Sequence, residues 1–188
     1  MFKFCPNCAS QKIRFENNRV FRCPACGFVY YHNTAAATGC IINTSDCQDS
    51  GGERLLFLVR GKEPAKGMLD LPGGFVDPGE GAPEGLYREL REELGWSVPA
   101  PPGASLAEVF TFFASYPNVY LYKNIPYNTC DMYFYLHAPG LCEQDLRLEQ
   151  AEIDSVCLLS PQEIEYEKIA FESTRRAIKE YLIFRNRR

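Results

Sequence analysis

Gly74-Phe75-Val76-Asp77-Pro78-Gly79-Glu80-Gly81-Ala82-Pro83-Glu84-Gly85-Leu86-Tyr87-Arg88-Glu89-Leu90-Arg91-Glu92-Glu93-Leu94-Gly95-Trp96 is the stretch whose reading decides the fold. Its second half predicts a helix. Pro83 suits the first helical position, where a missing N–H costs nothing, and Gly95 suits the position just past the end. Leu86, Leu90 and Leu94 recur every four residues and form an apolar stripe for a core. Glu89, Glu92 and Glu93, spaced i, i+3 and i+4, fall on one arc beside that stripe. Like charges at this spacing destabilise a helix by a few tenths of a kcal/mol per pair, so the arrangement favours cations among them. Hard oxygen ligands suit Mg2+ or Mn2+. The alternative is a solvated charged face in which Arg88 and Arg91 offset the repulsion.

Working upstream, Leu71-Pro72-Gly73-Gly74 ends any regular element and feeds the helix. Gly39 to Asn43 and Glu53 to Arg60 are apolar runs around a polar turn at 44–52, as in an antiparallel hairpin. Downstream, Val109 to Tyr135 is far richer in aromatic residues than the chain's 13%. Alternating positions such as Met132, Phe134 and Leu136 fit the buried face of a strand. Tyr116, Tyr120 and Tyr127, close to Pro117 and Pro126, are expected on loops, free to stack on a nucleobase. Over Ala170 to Leu182, apolar positions at helical spacing give a closing helix that packs on the sheet. The expected class is α+β, an α/β/α sandwich with a mixed sheet.

The N-terminus carries a second motif. Cys5-x2-Cys8 and Cys23-x2-Cys26 are separated by 14 residues, with Pro6 and Pro24 each directly after the first Cys of a pair. Two such turns can aim four thiolates at one Zn2+ ion, and two disulfides are the alternative. Between them Ile13, Phe15 and Val20 suit a short hairpin that turns at Asn17-Asn18. The division expected is a zinc ribbon over 1–34 and a main domain over 35–188. Cys40, Cys47, Cys130, Cys142 and Cys157 show no paired spacing and are expected to be reduced and partly buried.

With 188 residues, 46% hydrophobic and 23% charged, the composition is that of a globular chain, neither disordered nor fibrous. The apolar run Leu55 to Val59 is far short of the roughly 20 residues that cross a bilayer. The opening residues lack the apolar core of a secretory signal, so a cytoplasmic location is expected. Net charge is −4, distributed as +4 over residues 1–34, +4 over 169–188 and −12 between. So acidic a centre repels nucleic-acid backbones and attracts divalent cations. In the ribbon, Lys3, Lys12, Arg14, Arg19 and Arg22 are the residues by which a polyanion would be held, but no aromatic-basic stripe accompanies them, and a structural clip is the expected role.

At nine specified positions, with both spacers kept, the opening stretch resembles the 23-residue signature of the Nudix hydrolases. The likeness extends over about residues 35 to 185. It implies hydrolysis of the pyrophosphate in a nucleoside diphosphate linked to a further group, X, with divalent metals. It further implies metal binding at Glu89, Glu92 and Glu93 beside Gly74, a metal or base role for Glu89, a supporting acid at Glu80, and Arg88 as the orienter of a box glutamate. A base supplied by a downstream loop, from Glu143, Glu149 or Glu152, is the alternative. The pairing with a zinc ribbon resembles the NADH pyrophosphatase branch and the ADP-ribose or FAD pyrophosphatases. Where the NADH branch has Ser-Gln-Pro-Trp-Pro-Phe-Pro, this chain has Ser115-Tyr116-Pro117-Asn118-Val119-Tyr120. The expected partners are a small nucleotide and a second copy of the chain, with neither membrane nor nucleic acid. Decapping of nucleotide-capped RNA and non-catalytic nucleotide sensing remain as alternatives. The complete box speaks against the sensor and the acidic centre against decapping.

Overall fold

A computed structural model describes residues 2–44 and 52–185, in two compact units, Met1–Thr34 and Ala35–Arg188. Most of the polar turn at 44–52, with Cys47, lies outside the described residues.

The smaller unit is an antiparallel sheet of β1 (Arg14–Glu16), β2 (Val20–Arg22) and β3 (Val29–Tyr31). Arg19 N–H closes the first turn on Glu16 O at 3.0 Å, across Asn17 and Asn18 at φ 51° and 52°. Asparagine is the non-glycine residue best suited to that left-handed region. The cysteine turns are built alike. Ala9 N–H bonds Cys5 O at 2.8 Å and Cys5 N–H bonds Ser10 O at 2.9 Å, while Gly27 N–H and Cys23 N–H repeat the pattern on Cys23 O and Phe28 O. Both turns need positive φ after the second cysteine, supplied by Gly27 at 76° and, at some steric cost, by Ala9 at 58°. The apolar centre is small: Phe21 stacks on Phe15 with ring centroids 4.3 Å apart and meets Phe2 at 4.8 Å.

The larger unit is built on a mixed sheet. Its strands are β4 (Ala35–Asn43), β5 (Leu55–Arg60), β6 (Leu69–Asp70), β7 (Thr111–Tyr122), β8 (Ile125–His137) and β9 (Ile153–Leu159). They run in the order β6-β5-β4-β8-β7, and β9 also pairs with β5. β4 and β5 are antiparallel neighbours as expected, but they share only the Asn43–Leu55 position. The long partner of β4 is β8, parallel to it from Ala35–Thr129 to Asn43–His137.

Period-two alternation sorts the side chains. Cys40 and Ile42, Leu56 and Leu58, and Phe134 and Leu136 face α1 (Ala82–Leu94) and its fully buried Leu86, Leu90 and Leu94. Ile41, Leu55, Phe57 and Tyr133 face α3 (Glu172–Arg185) through Ala177, Ile178 and Tyr181. The expected sandwich follows, each buried leucine contributing roughly 1.5–3 kcal/mol. A short α2 (Leu106–Val109) precedes β7. Helix α1 starts one residue before Pro83 and ends on Gly95 at φ 58°. Helix α3 starts two residues later than its periodicity suggests, because Ile169 bridges Leu69 and Ala170 N–H bonds Leu69 O, pinning the approach to β6.

Two further expectations are corrected. Tyr116 and Tyr120 lie in β7 and Tyr127 in β8, not on loops. Proline did not break these strands, since β7 is the sheet edge and Pro126 precedes the part of β8 that pairs with β4. The turn between them is Lys123-Asn124, both at positive φ, a two-residue hairpin. Among the other cysteines Cys40 is buried, Cys130 exposed and Cys157 in between, all with free thiols, whereas Cys142 is disulfide-bonded. No helix among the described residues is long and apolar enough to cross a membrane.

Candidate active site

The α1 glutamates and the loop before them form one wall of a cleft of about 640 Å³. Arg88 is its hub. Its Nε and Nη2 bond the two carboxylate oxygens of Glu80 at 2.9 and 3.1 Å, while Nη1 reaches Glu89 at 2.8 Å and Glu92 at 3.0 Å. Nη2 also donates to Phe75 O at 2.9 Å, which ties the loop to the helix. The bonds to Arg88 hold the Glu80 carboxyl below its ordinary pKa, whereas burial raises that of Glu89 against the pull of Arg88.

Glu93 points the other way, away from Arg88. It is buried, accepts Gly73 N–H at 2.8 Å, and burial pushes its carboxyl well above the ordinary range. The backbone makes room for this. Gly73 sits at φ 141°, and a Cβ there would stand 2.2 Å from Thr38 O. A Cβ on Gly74 would stand 2.6 Å from the Glu89 carboxylate. Gly74 O accepts Thr38 N–H at 2.8 Å, locking the loop onto β4.

The opposite wall comes from β5, β6, β7, β8 and α3. Arg60 bonds Asp70 at 2.8 Å, donates to Pro64 O at 2.8 Å and to Tyr120 Oη at 3.4 Å, and lies over the Phe171 ring at 5.0 Å. Thr174 donates its hydroxyl to Asp70, so the Tyr133 hydroxyl donates to Thr174, at 3.2 Å. Tyr120 also meets Phe75 edge-on, with ring centroids 5.6 Å apart. Deeper in, Asp131 is buried among Asn118, Thr129 and Ser173.

The sequence-derived candidates divide as follows. Gly74, Glu89, Glu92 and Glu93 line the cleft, and Glu80 and Arg88 brace it from the side. Of the downstream glutamates, Glu149 and Glu152 line it and Glu143 does not. Tyr120 lines it, from β7. Tyr116 instead packs under Arg176, 4.1 Å from its ring, and Tyr127 reaches only the edge of Phe75, at 6.5 Å. Arg60, Asp70, Asp131, Phe75 and Phe171 went unread. Asp131 carried a usable signal, a carboxylate two positions before Tyr133 on the inward face of a strand.

Eight carboxylates line the cleft against two cations, Arg60 and Lys62. Both cations are already matched, by Asp70 and Glu152. Oxygen donors in such excess, around a buried carboxylate with no cation bonded to it among the described residues, fit hard divalent ions. The α1 carboxylates are less tightly gathered than their spacing suggested, because Glu89 and Glu92 share Arg88 while Glu93 turns to Gly73. Among the described residues, only Cys5, Cys8, Cys23 and Cys26 bring three or more ligand atoms within 4.8 Å of one another. Their sulfurs lie 3.6 Å apart for Cys5–Cys26 and 3.7 Å for Cys8–Cys23. A tetrahedron with Zn–S bonds of about 2.3 Å has edges of about 3.8 Å, so the cluster fits a zinc ion.

Residues 33–181 match the NUDIX domain family. This chain belongs to the Nudix family. Nudix proteins use divalent metals, in keeping with the acidic cleft. The chain is 33% identical over 96 residues to the NAD-capped RNA hydrolase NudC of Chromobacterium violaceum, covering 51% of this chain and 33% of that protein. It is 36% identical over 67 residues to the ADP-ribose pyrophosphatase of Methanocaldococcus jannaschii, covering 36% of this chain and 35% of that protein. The match thus spans about a third of the length of these curated relatives. The crystal structure of a NUDIX hydrolase from Nitrosomonas europaea superposes with a TM-score of 0.63 at 25% identity, covering 99% of this chain and 93% of that one. Gly73 is the most constrained position of this Nudix site. Gly73→Ala should lower folding stability by about 2 kcal/mol or more, through strain and the clash with Thr38 O. Denaturant unfolding checks it, and an unchanged midpoint would refute the close approach.

Proposed function

We propose that the protein is a metal-dependent pyrophosphohydrolase that cleaves a nucleoside diphosphate linked to X, as in ADP-ribose, NADH or FAD, to a nucleoside monophosphate and phosphorylated X. The observation that carries this is the charge of the cleft. Eight carboxylates and two neutralised cations repel a pyrophosphate, so substrate enters only with divalent cations. Glu89, Glu92 and Glu93, with Gly74 beside them, would hold Mg2+ or Mn2+. Bound there, such ions neutralise phosphate oxygens and act as Lewis acids.

The chain's own residues do the rest. Water adds to phosphorus, the P–O–P bridge breaks, and a carboxylate takes the proton. Glu89 is the first candidate for that base, with Glu149 and Glu152 the loop alternatives that line the cleft. Arg88 and Glu80 keep the Glu89 carboxylate aimed while charge moves. Phe75, Tyr120 and Phe171 supply the ring faces for a base. The ribbon holds one Zn2+ through Cys5, Cys8, Cys23 and Cys26 and serves as a clip. A cytoplasmic homodimer completes the reading.

Glu93→Gln removes the charge while its amide oxygen still accepts Gly73 N–H, so hydrolysis of ADP-ribose, NADH or FAD should fall at least about a hundredfold. The thermal midpoint should stay or rise, because a buried unpaired carboxylate is gone. Turnover near normal at saturating metal would refute the metal role. Metal analysis should find about one zinc per chain, and Cys23→Ser should lose it together with stability. A zinc-free protein with four reduced cysteines would end the ribbon reading.

A second reading, decapping of nucleotide-capped RNA, is favoured by the name of the NudC relatives and by Tyr30 and Tyr31, exposed on β3 with Arg19 5.9 Å from the Tyr31 ring. Such binding would weaken with salt at a log-log slope of about −0.7 per phosphate contact. Changing Arg14, Arg19 and Arg22 together to Gln should leave turnover of a free dinucleotide within a few-fold. Submicromolar RNA affinity abolished by that triple change would put decapping first.

A further inference from the structure

On β8, the residues Thr129, Asp131 and Tyr133 share the face turned to α3, an inward position where a carboxylate is costly unless it is bonded. Asp131 is 8% exposed and Thr129 2%, yet both line the cleft. Thr129 Oγ1 donates to Asp131 Oδ1 at 2.6 Å, and Asn118 Nδ2 and Ser173 Oγ donate to Oδ2 at 2.9 and 2.7 Å. Among the described residues no Lys, Arg or His is bonded to it.

The hydrogen count determines what this cluster still offers. An ionised carboxylate accepts at about four sites and three are used, which leaves one on Oδ1. Thr129 has given its only hydroxyl hydrogen to Asp131, so it faces the cleft as an acceptor. Asn118 has its Oδ1 occupied by Val119 N–H at 2.8 Å and, among the described residues, keeps one N–H free on Nδ2. The cluster therefore presents two acceptors 2.6 Å apart and one donor nearby. A phosphate, which only accepts at its oxygens, meets a carboxylate there and is repelled. An ammonium donates but cannot accept the Asn118 N–H. Two adjacent hydroxyl groups satisfy all three, each giving its hydrogen to one acceptor while an oxygen takes the Asn118 N–H.

We propose that Asp131, Thr129 and Asn118 form a sugar subsite that takes the vicinal hydroxyls of an unphosphorylated ribose. The proposal rests on the pyrophosphohydrolase reading and names the part of the substrate that this end of the cleft selects. Such a subsite separates substrates by sugar, whereas the glutamates of α1 act on any pyrophosphate. The same three bonds also tie β7, β8 and α3 together, so the test must separate recognition from folding.

A symmetric probe removes the question of which half of a dinucleotide lies there. Diadenosine diphosphate and its counterpart made from 2′-deoxyadenosine are compared for KM and kcat with Mg2+ or Mn2+, and for Kd by calorimetry. For the unaltered protein the deoxy compound should show a KM at least about tenfold higher, because a buried acceptor loses its partner, with kcat within a few-fold. Asp131→Asn should raise KM for the ribose compound toward the deoxy value and close the gap. Thr129→Val, which keeps the volume and removes the acceptor, should narrow it and serves where Asp131→Asn lowers the thermal midpoint. Equal KM values in the unaltered protein, or a gap that survives in a folded variant, would overturn the subsite. If neither compound is cleaved, the hydrolysis reading falls and the subsite stands on the same gap in Kd; binding of neither overturns both.

Discussion

Five bonds from Arg88 hold the acidic wall of the cleft together. Without that guanidinium, Glu80, Glu89 and Glu92 would repel one another along the helix, and the loop from Gly73 to Gly81 would lose its bond to the helix at Phe75 O. A planar fork suits the task, because its nitrogens point at separate carboxylates without changing rotamer, which a lysine point charge would not do. Glu93, turned away from Arg88 and bonded by Gly73, is left as the buried carboxylate that needs a cation. The loop's two glycines serve this division. Gly73 lets the chain pass Thr38, and Gly74 lets Glu89 lie against backbone.

Local chemistry made this wall legible in the sequence. The stripe of Leu86, Leu90 and Leu94, the glutamates at helical spacing, and the glycines at both ends are all set within 23 consecutive residues. The cysteine turns are equally local, four residues apiece, and their proline and positive-φ positions repeat. The sheet was readable as to class because β5 is a continuous apolar run and period-two alternation survives in β8, while the parallel pairing of β4 with β8 joins segments about 90 residues apart and left no mark in either alone.

The opposite wall was hidden for the same reason. Arg60, Tyr120 and Asp131 come from three different strands and Phe171 from the residue before α3, and of these only Asp131 carried a sequence signal, its place on the inward face of a strand. Proline misled in a definite way. Pro117 and Pro126 were read as loop markers, but the N–H that a proline lacks matters only where a second strand would accept it, and these two lie where none does. Tyr116 was drawn off by Arg176, one turn into α3, an attraction between a strand and a helix some 60 residues apart.

The two walls impose different demands on whatever enters between them. Arg60 is the natural anion trap, yet Asp70 neutralises it, and it rests on Phe171 with its hydrogens directed to Asp70, Pro64 and Tyr120. Lys62 is likewise matched by Glu152. A free phosphate therefore finds no unpaired cation among the residues that line the cleft, and the field of the eight carboxylates opposes its entry. Divalent ions reverse the sign only at the α1 wall. The Asp131 end, with its carboxylate facing inward, stays hostile to anions. A ligand that satisfies both must be charged at one end and neutral, hydroxyl-bearing and flat enough for Phe75 and Phe171 at the other. A nucleoside joined through a pyrophosphate has that division of chemistry, and a simple polyphosphate does not.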